Sequence, residues 1–157
     1  MNQDCQNRIA EIVIPKEKAV FWMDGQGRWH NQHGLFENKK IIDHFNASIR
    51  KDMQGYFVGQ HRDGIYEKVY FTYQQTALFV TDVQWGNPVQ MILNTGQRMD
   101  LSPECLFIRD DQLFHRKGDE IVKFTERTLT MISEAMTFAG DGYTILVNSM
   151  RYTVPEV

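Results

Sequence analysis

Two stretches of this chain carry the same pattern 87 residues apart, and that repeat limits the folds open to it. A displacement of 87 (129 − 42) superposes Ile42 on Leu129, Phe45 on Ile132, Ile49 on Met136, Gly55 on Gly142 and Tyr56 on Tyr143. It also carries Asp24 onto Asp111, and with a two-residue difference in the following turn Trp29-His30 matches Phe114-His115. Each half therefore reads as hairpin, helix, Gly-Tyr step and strand, a duplicated ββαβ-type motif. Matching apolar positions alone would also fit two unrelated amphipathic helices; the paired Gly-Tyr steps favour duplication. A unit of about 40 residues buries too little apolar surface to offset its chain entropy. Both units are therefore expected to share the strands between them as one core, to unfold together, and to bury Phe45.

Between the repeats, Ile65–Tyr73, Ala77–Trp85 and Val89–Leu93 are rich in β-branched and aromatic residues and are separated by Gln74-Gln75 and Gly86-Asn87-Pro88. Asn94-Thr95-Gly96 follows as a further turn. That spacing predicts a central antiparallel β-meander, extended by Leu106–Arg109 and Leu113–His115. Around it, Arg8–Ile14 reads as a short helix, and Ala19–Met23 as a strand that turns at Asp24-Gly25-Gln26-Gly27 into Trp29-His30. The period then changes. Ile41, Ile42, Phe45 and Ile49 fall at helical spacing behind Asn38 as N-cap, and Leu129, Ile132 and Met136 do so behind Thr125. The fold class is α+β. The expected division is an N-terminal arm over residues 1–18, a first ββαβ unit over 19–60, and a β-rich C-terminal part over 61–157 that contains the second unit.

Seventeen basic against 20 acidic side chains leave a net charge near −3, which favours neither a broad nucleic-acid surface nor a membrane surface. Cys5 and Cys105 show no metal-binding or disulfide-framework spacing and read as reduced thiols. Met1–Arg8 is polar where a secretion signal would be basic and then apolar, and no run approaches membrane-spanning length. A cytoplasmic location is the expectation.

Several of these residues form a series that resembles a bacterial family known as domain of unknown function 1285. The series is Asp24-Gly25-x-Gly27-x-Trp29 before Gly34, Phe45 in the helix, Asp52-x-x-Gly55-Tyr56, Glu67-Lys68, Ala77-x-Phe79 and Asn94-Thr95-Gly96. It runs from about residue 20 to about residue 145 and is closer in the first half. The chain departs from the family at Thr76-Ala77-Leu78-Phe79, which lacks an Asp and a Pro before the Phe, and at Asn148-Ser149-Met150-Arg151, where the family carries a Trp-Ser-Gly-like turn. The resemblance implies a duplicated α+β fold whose C-terminal part looks superficially like a pleckstrin-homology barrel. It also implies a ligand site between the two halves, a nucleotide-like or nucleic-acid-derived ligand in signalling, and no established catalytic activity.

Motifs for nucleophilic, phosphate-cradling or dinucleotide chemistry are missing from the sequence. Asp110-Asp111 pairs two carboxylates, but neighbours on a strand point to opposite faces. His30 and His33, with His44 and His61 in the same half, could ligate a metal, yet an H-x-x-H spacing on a strand or turn does not aim both rings at one point. Lys39, Lys40, Arg50 and Lys51 read as the solvated side of a helix. The stronger candidate is His61 to Tyr73, where alternation places Tyr66, Lys68 and Tyr70 on one face and Glu67, Val69 and Phe71 on the other. Rings beside a cation suit a base and a phosphate, although aromatic cross-strand neighbours also stabilise sheets with no ligand.

The leading expectation is a non-enzymatic module without a cofactor or metal, holding a small anionic or nucleotide-like ligand between its halves. Arg62, Lys68 and Asn94 would supply polar contacts, and Tyr66, Tyr70 and Phe79 the walls. One rival is a protein–protein interaction or self-association module acting through a sheet edge. The other is a metal-dependent hydrolase built on His30, His33 and His61.

Overall fold

In the computed structural model, which describes residues 10–157, the chain divides into two compact units, one ending at Gln74 and the other running from Gln75 to Val157. The first unit opens with strand β1 (Ala10–Ile14), where a helix was expected over Arg8–Ile14; Arg8 and Ile9 lie outside the described residues. Ile12, Val13 and Ile14 are β-branched and lose side-chain freedom in a helix. They pair instead, in parallel register from Ala10↔Ile65 to Ile14↔Val69, with a strand met later in the chain. A small antiparallel sheet follows, of β2 (Phe21–Met23), β3 (Trp29–Asn31) and β4 (Gly34–Leu35). Asp24 shapes its first turn: Oδ1 accepts from the Gln26 and Arg28 amides at 2.8 and 3.0 Å, and Gly27 takes a φ of 78°.

Helix α1 (Lys39–Ala47) starts where Asn38 Oδ1 accepts from Lys40 N and Ile41 N. It closes at Ser48, whose hydroxyl donates to His44 O at 2.7 Å. The helical spacing that ran on to Ile49 overshoots: Ile49 begins β5 (Ile49–Asp52), which continues into β6 (Gly55–Arg62) and β7 (Ile65–Tyr70). These strands form a four-stranded sheet in the order β1-β7-β6-β5. The core of the unit is a cluster of rings. Trp29 is 1% exposed, with ring centroids of Phe21, Phe45 and Phe71 at 5.7, 5.3 and 4.7 Å, and its indole N–H donates to Asn46 Oδ1 at 2.8 Å. Phe45 itself is only half-buried, contrary to expectation. Phe45→Ala is therefore expected to lower stability by about 2 kcal/mol in urea titration, below the roughly 3–5 kcal/mol of a fully buried phenylalanine.

The second unit is built on a six-stranded sheet that curls as a half-barrel. Its strands are β8 (Phe79–Gln84), β9 (Gln90–Leu93), β10 (Arg98–Asp100), β11 (Leu106–Arg109), β12 (Gln112–Lys117) and β13 (Glu120–Phe124), in the order β10-β9-β8-β13-β12-β11. Neighbours are antiparallel except β8 and β13, which run parallel through Lys123↔Phe79 and Phe124↔Val80. Helix α2 (Glu126–Ser133) is capped by Thr125, and Thr128 Oγ1 donates to Val80 O at 2.8 Å, fastening the helix to β8. Met136 falls just beyond the helix, in the sheet of β14 (Met136–Ala139), β15 (Gly142–Val147) and β16 (Met150–Val154). Among the described residues no helix is long and apolar enough to cross a membrane.

Duplication is visible in the order of elements and is longer than ββαβ. Three strands, a helix and three strands occur twice, as β2-β3-β4, α1, β5-β6-β7 and as β11-β12-β13, α2, β14-β15-β16. The displacement of 87 carries Lys39 to Glu126, Ile49 to Met136 and Gly55 to Gly142, the first residues of the helix and of the two strands after it. Trp29 and Phe114 both lie in the middle strand of their triplets, each 1% exposed.

The expected single central meander does not form. β7 completes the first unit's sheet, whereas β8 and β9 belong to the second. The chain turns between them: Thr76 Oγ1 donates to Ile121 O and accepts from Leu78 N. The boundary expected at 60/61 would cut through β6, whose ladder with β7 runs from Phe57↔Tyr70 to Arg62↔Ile65. It lies instead at 74/75, and the described part of the expected 1–18 arm, from Ala10 on, belongs to the first unit through β1.

Candidate functional site

Strand register places Glu11 and Val13 of β1, Tyr66, Lys68 and Tyr70 of β7, Phe57, Gly59 and His61 of β6, and Arg50 and Asp52 of β5 on one face of the four-stranded sheet. Tyr66, Lys68 and Tyr70 share that face as alternation predicts. Lys68 Nζ lies 3.0 Å from Glu11 Oε1, 3.3 Å from Asp52 Oδ2 and 4.9 Å from the centre of the Phe57 ring. Its hydrogen bond to Glu11, with that to Asp52 behind it, raises its pKa. Tyr70 donates to Asp52 Oδ2. That bond, more than Lys68, holds the Asp52 carboxyl below the usual carboxylate range, while burial and then Asp52 push the Tyr70 phenol up. Two carboxylates already neutralise Lys68, so its charge is committed within the sheet.

Beside this network the face is hollow. Gly59 stands opposite Lys68, and a Cβ there would meet Tyr66 Oη at 2.2 Å and Phe57 Cε2 at 3.1 Å. The tyrosine lies across a floor that only a glycine leaves open. A depression of about 410 Å³ results, lined by Glu11, Arg50, Gly59, His61 and Tyr66. The His61 and Tyr66 rings are 4.8 Å apart and tilted by 38°. Arg50 Nη1 donates to Ala47 O at 2.9 Å and Ile49 O at 2.8 Å, which fixes the guanidinium at the junction of α1 and β5. Sequence reasoning grouped Arg50 with solvated lysines and passed over Gly59. A glycine inside a strand was the signal that something approaches its backbone closely.

The other residues named for the ligand are placed elsewhere. Arg62 alternates onto the opposite face of β6, the side on which Gln60 donates to Glu67 Oε1 at 3.2 Å. Asn94 belongs to the second unit, where its amide accepts from Phe79 N and donates to Ala77 O, both at 3.0 Å, holding the start of β8. Phe79 is 1% exposed in that unit, with Lys123 Nζ 6.0 Å from its ring centre, and offers no wall to a ligand.

The histidines named for a metal are not brought together. His30 Nε2 lies 2.7 Å from Asp24 Oδ2, and its ring stacks on Trp22 at 5.8 Å. Burial draws the Asp24 carboxyl up, but the hydrogen bonds from His30, Arg28 and Gln26 outweigh it and leave the pKa lowered. His33 contacts Gln32, and His61 lies against Tyr66. Among the described residues no three His, Cys, Asp or Glu side chains gather where they could hold a metal ion. Asp110 and Asp111, both at positive φ, sit in the turn between β11 and β12.

No protein-family model and no curated protein matches this chain. Solved structures do. A DUF1285 family protein from Silicibacter pomeroyi DSS-3 superposes with a TM-score of 0.61 at 8% identity, covering 90% of this chain and 81% of that one. A DUF1285 family protein from Shewanella baltica OS155 superposes with a TM-score of 0.54 at 12% identity, over 76% of this chain and 94% of that one. The chain thus has the fold of solved DUF1285 proteins, reached through a sequence that shares few residues with them.

Proposed function

We propose that this chain is a non-catalytic binding module, and that the sheet face around Gly59 holds a small ligand combining a flat ring with an anionic group. The observation that carries the proposal is the depression over Gly59, where two rings, a guanidinium and a carboxylate converge on about 410 Å³. A ring fits against Tyr66 and His61, an anionic group meets Arg50, and a donor such as an exocyclic amine meets Glu11. A nucleotide supplies all three. Lys68 is not in the lining, and Glu11 and Asp52 already share its charge. The ligand residues that can act together lie within the first unit, and a cytoplasmic, signalling role suits a module of this kind.

Isothermal calorimetry against a panel of purine and pyrimidine nucleotides tests the reading. One nucleotide class is expected to bind saturably, and Arg50→Ala and Tyr66→Ala should each weaken it by about tenfold, the loss of one charge-assisted contact or one stacking surface. Gly59→Ala should weaken it too, since the added methyl must displace the Tyr66 hydroxyl. Folded protein that binds no nucleotide, or that binds one equally well in the Arg50 and Tyr66 variants, would refute the proposal.

A further inference from the structure

We infer that the first unit carries a second ligand site, a preformed pocket between the β2–β3–β4 sheet and α1 that takes a compact apolar molecule ending in a protonated amine. The pocket is open to solvent, measures about 580 Å³ and, among the described residues, shares no lining residue with the depression over Gly59. Its walls are Val20, Phe21, Leu35, Phe36, Ile41 and Phe45. Val20, Leu35 and Ile41 stay 76%, 46% and 47% exposed, and three branched aliphatic side chains left open around one cavity represent apolar surface that a ligand can cover. The volume lies in the range of small-molecule sites, roughly 300–1,000 Å³.

The walls are held apart by bonds made elsewhere. Phe36 N donates to Trp29 O at 2.9 Å, which ties the chain beyond β4 to the small sheet. Phe45 meets Phe21 and Phe36 edge-on, with centroids at 4.9 and 5.2 Å, which sets the distance between helix and sheet. The cavity is therefore present before any ligand arrives, and binding spends little energy on ordering.

Charge selects the ligand class. Among the described residues no lysine or arginine lines the pocket, and the one carboxylate is Glu37. Of the remaining polar groups, the His33 ring contacts Gln32, Asn31 Oδ1 accepts from His33 N, and Asn38 Oδ1 accepts from Lys40 N and Ile41 N, so those two oxygens already serve the backbone. An ammonium group would find Glu37 and three phenylalanine rings in the lining, and a carboxylate and an aromatic ring both attract a cation. A carboxylate or phosphate would meet Glu37 as a like charge, with the His33 ring as the one ionisable donor in the described lining.

Three probes of nearly equal shape separate the possibilities in calorimetry and ligand-observed NMR: phenethylamine, 2-phenylethanol and 3-phenylpropionate. Phenethylamine is expected to bind saturably and about fivefold tighter than 3-phenylpropionate, from an exposed ion pair plus cation–π attraction. Glu37→Gln, at an exposed position, should remove most of that preference while leaving 2-phenylethanol unchanged. Leu35→Trp, also at an exposed position, should block all three without lowering the Tm, and Arg50→Ala should alter none. Absence of saturable phenethylamine binding to folded protein, equal or tighter binding of the propionate, or a preference that survives Glu37→Gln would overturn the inference. Failure of nucleotides to bind leaves this site standing, since the two share no lining residue.

Discussion

Trp29→Ala is expected to lower the stability of the first unit by about 3–5 kcal/mol, the range for emptying a fully packed large aromatic site. The indole is 1% exposed, and Phe21, Phe45 and Phe71 approach it edge-on, so no single neighbour can move to fill the space. Its N–H also satisfies Asn46 Oδ1, which the alanine would leave without that donor inside the unit. Trp29→Phe retains the ring contacts and loses only the hydrogen bond, so it should cost about 1–2 kcal/mol. Urea unfolding followed by far-UV circular dichroism reads both variants. A Trp29→Ala change under about 1 kcal/mol would mean that the ring cluster is not the core of the unit.

His115 carries the second large expectation, in the second unit. The side chain is 2% exposed; Nε2 accepts from Ser102 N at 3.0 Å, and Nδ1 donates to Arg116 O at 2.6 Å. That pairing fits a neutral ring with its proton on Nδ1. Burial is the main cause of a pKa below the ordinary 6.5, and it outweighs the opposing hydrogen bonds to Arg116 and Ser102. The unfolded chain therefore binds the proton at a higher pH than the folded one. The stabilisation is fully present above pH 6.5 and is lost as pH falls from there towards the depressed folded value, by up to about 1.4 kcal/mol per pH unit. His115→Leu keeps the apolar volume but takes the ring partner from the part-buried Ser102 amide and Arg116 carbonyl. It should cost about 2–4 kcal/mol at neutral pH and remove this acid sensitivity. Urea midpoints at pH 7.5 and 5.5 check both effects; a variant that still loses the same stability between the two would assign the sensitivity to other groups.

Local chemistry made much of this fold legible. Asn38 and Thr125 announce their helices because a cap needs only the amides next to it, and Asp24 announces its turn for the same reason. The repeat was visible because packing preserved apolar character at equivalent places, as in the Trp29 and Phe114 pair. Helical spacing misled at Ile49 and Met136. A residue two or three places past a tight helix end can return to the same apolar layer as the helix face, so the period continues while the backbone has become a strand. The division into two sheets was hidden because antiparallel neighbours and strands of different sheets can have identical alternation; only partners distant in sequence separate β7 from β8. The candidate site shows the same limit. Alternation alone puts Tyr66, Lys68 and Tyr70 together, but Glu11 and Asp52 reach Lys68 through the register of β1 and β5, which no local pattern encodes. Asn94 and Phe79 joined the expected site on the strength of a meander the chain does not form.

The parallel pairing of β1 with β7 also has a consequence for how the chain is made. Ala10 and its partner Ile65 are 55 positions apart (65 − 10), so the strand synthesised first is the last to find its place in the first unit's sheet. At translation rates of roughly 5–20 residues per second, the Ile-Val-Ile segment waits several seconds for β7, while β5 and β6 can join as soon as both have emerged. Until residues 65–69 clear the ribosome, β1 is an unpaired, β-branched strand open to chaperones and proteases. Protection of the first unit in a nascent chain should therefore appear abruptly at this length, set by the arrival of one distant partner and not by gradual accumulation of local structure.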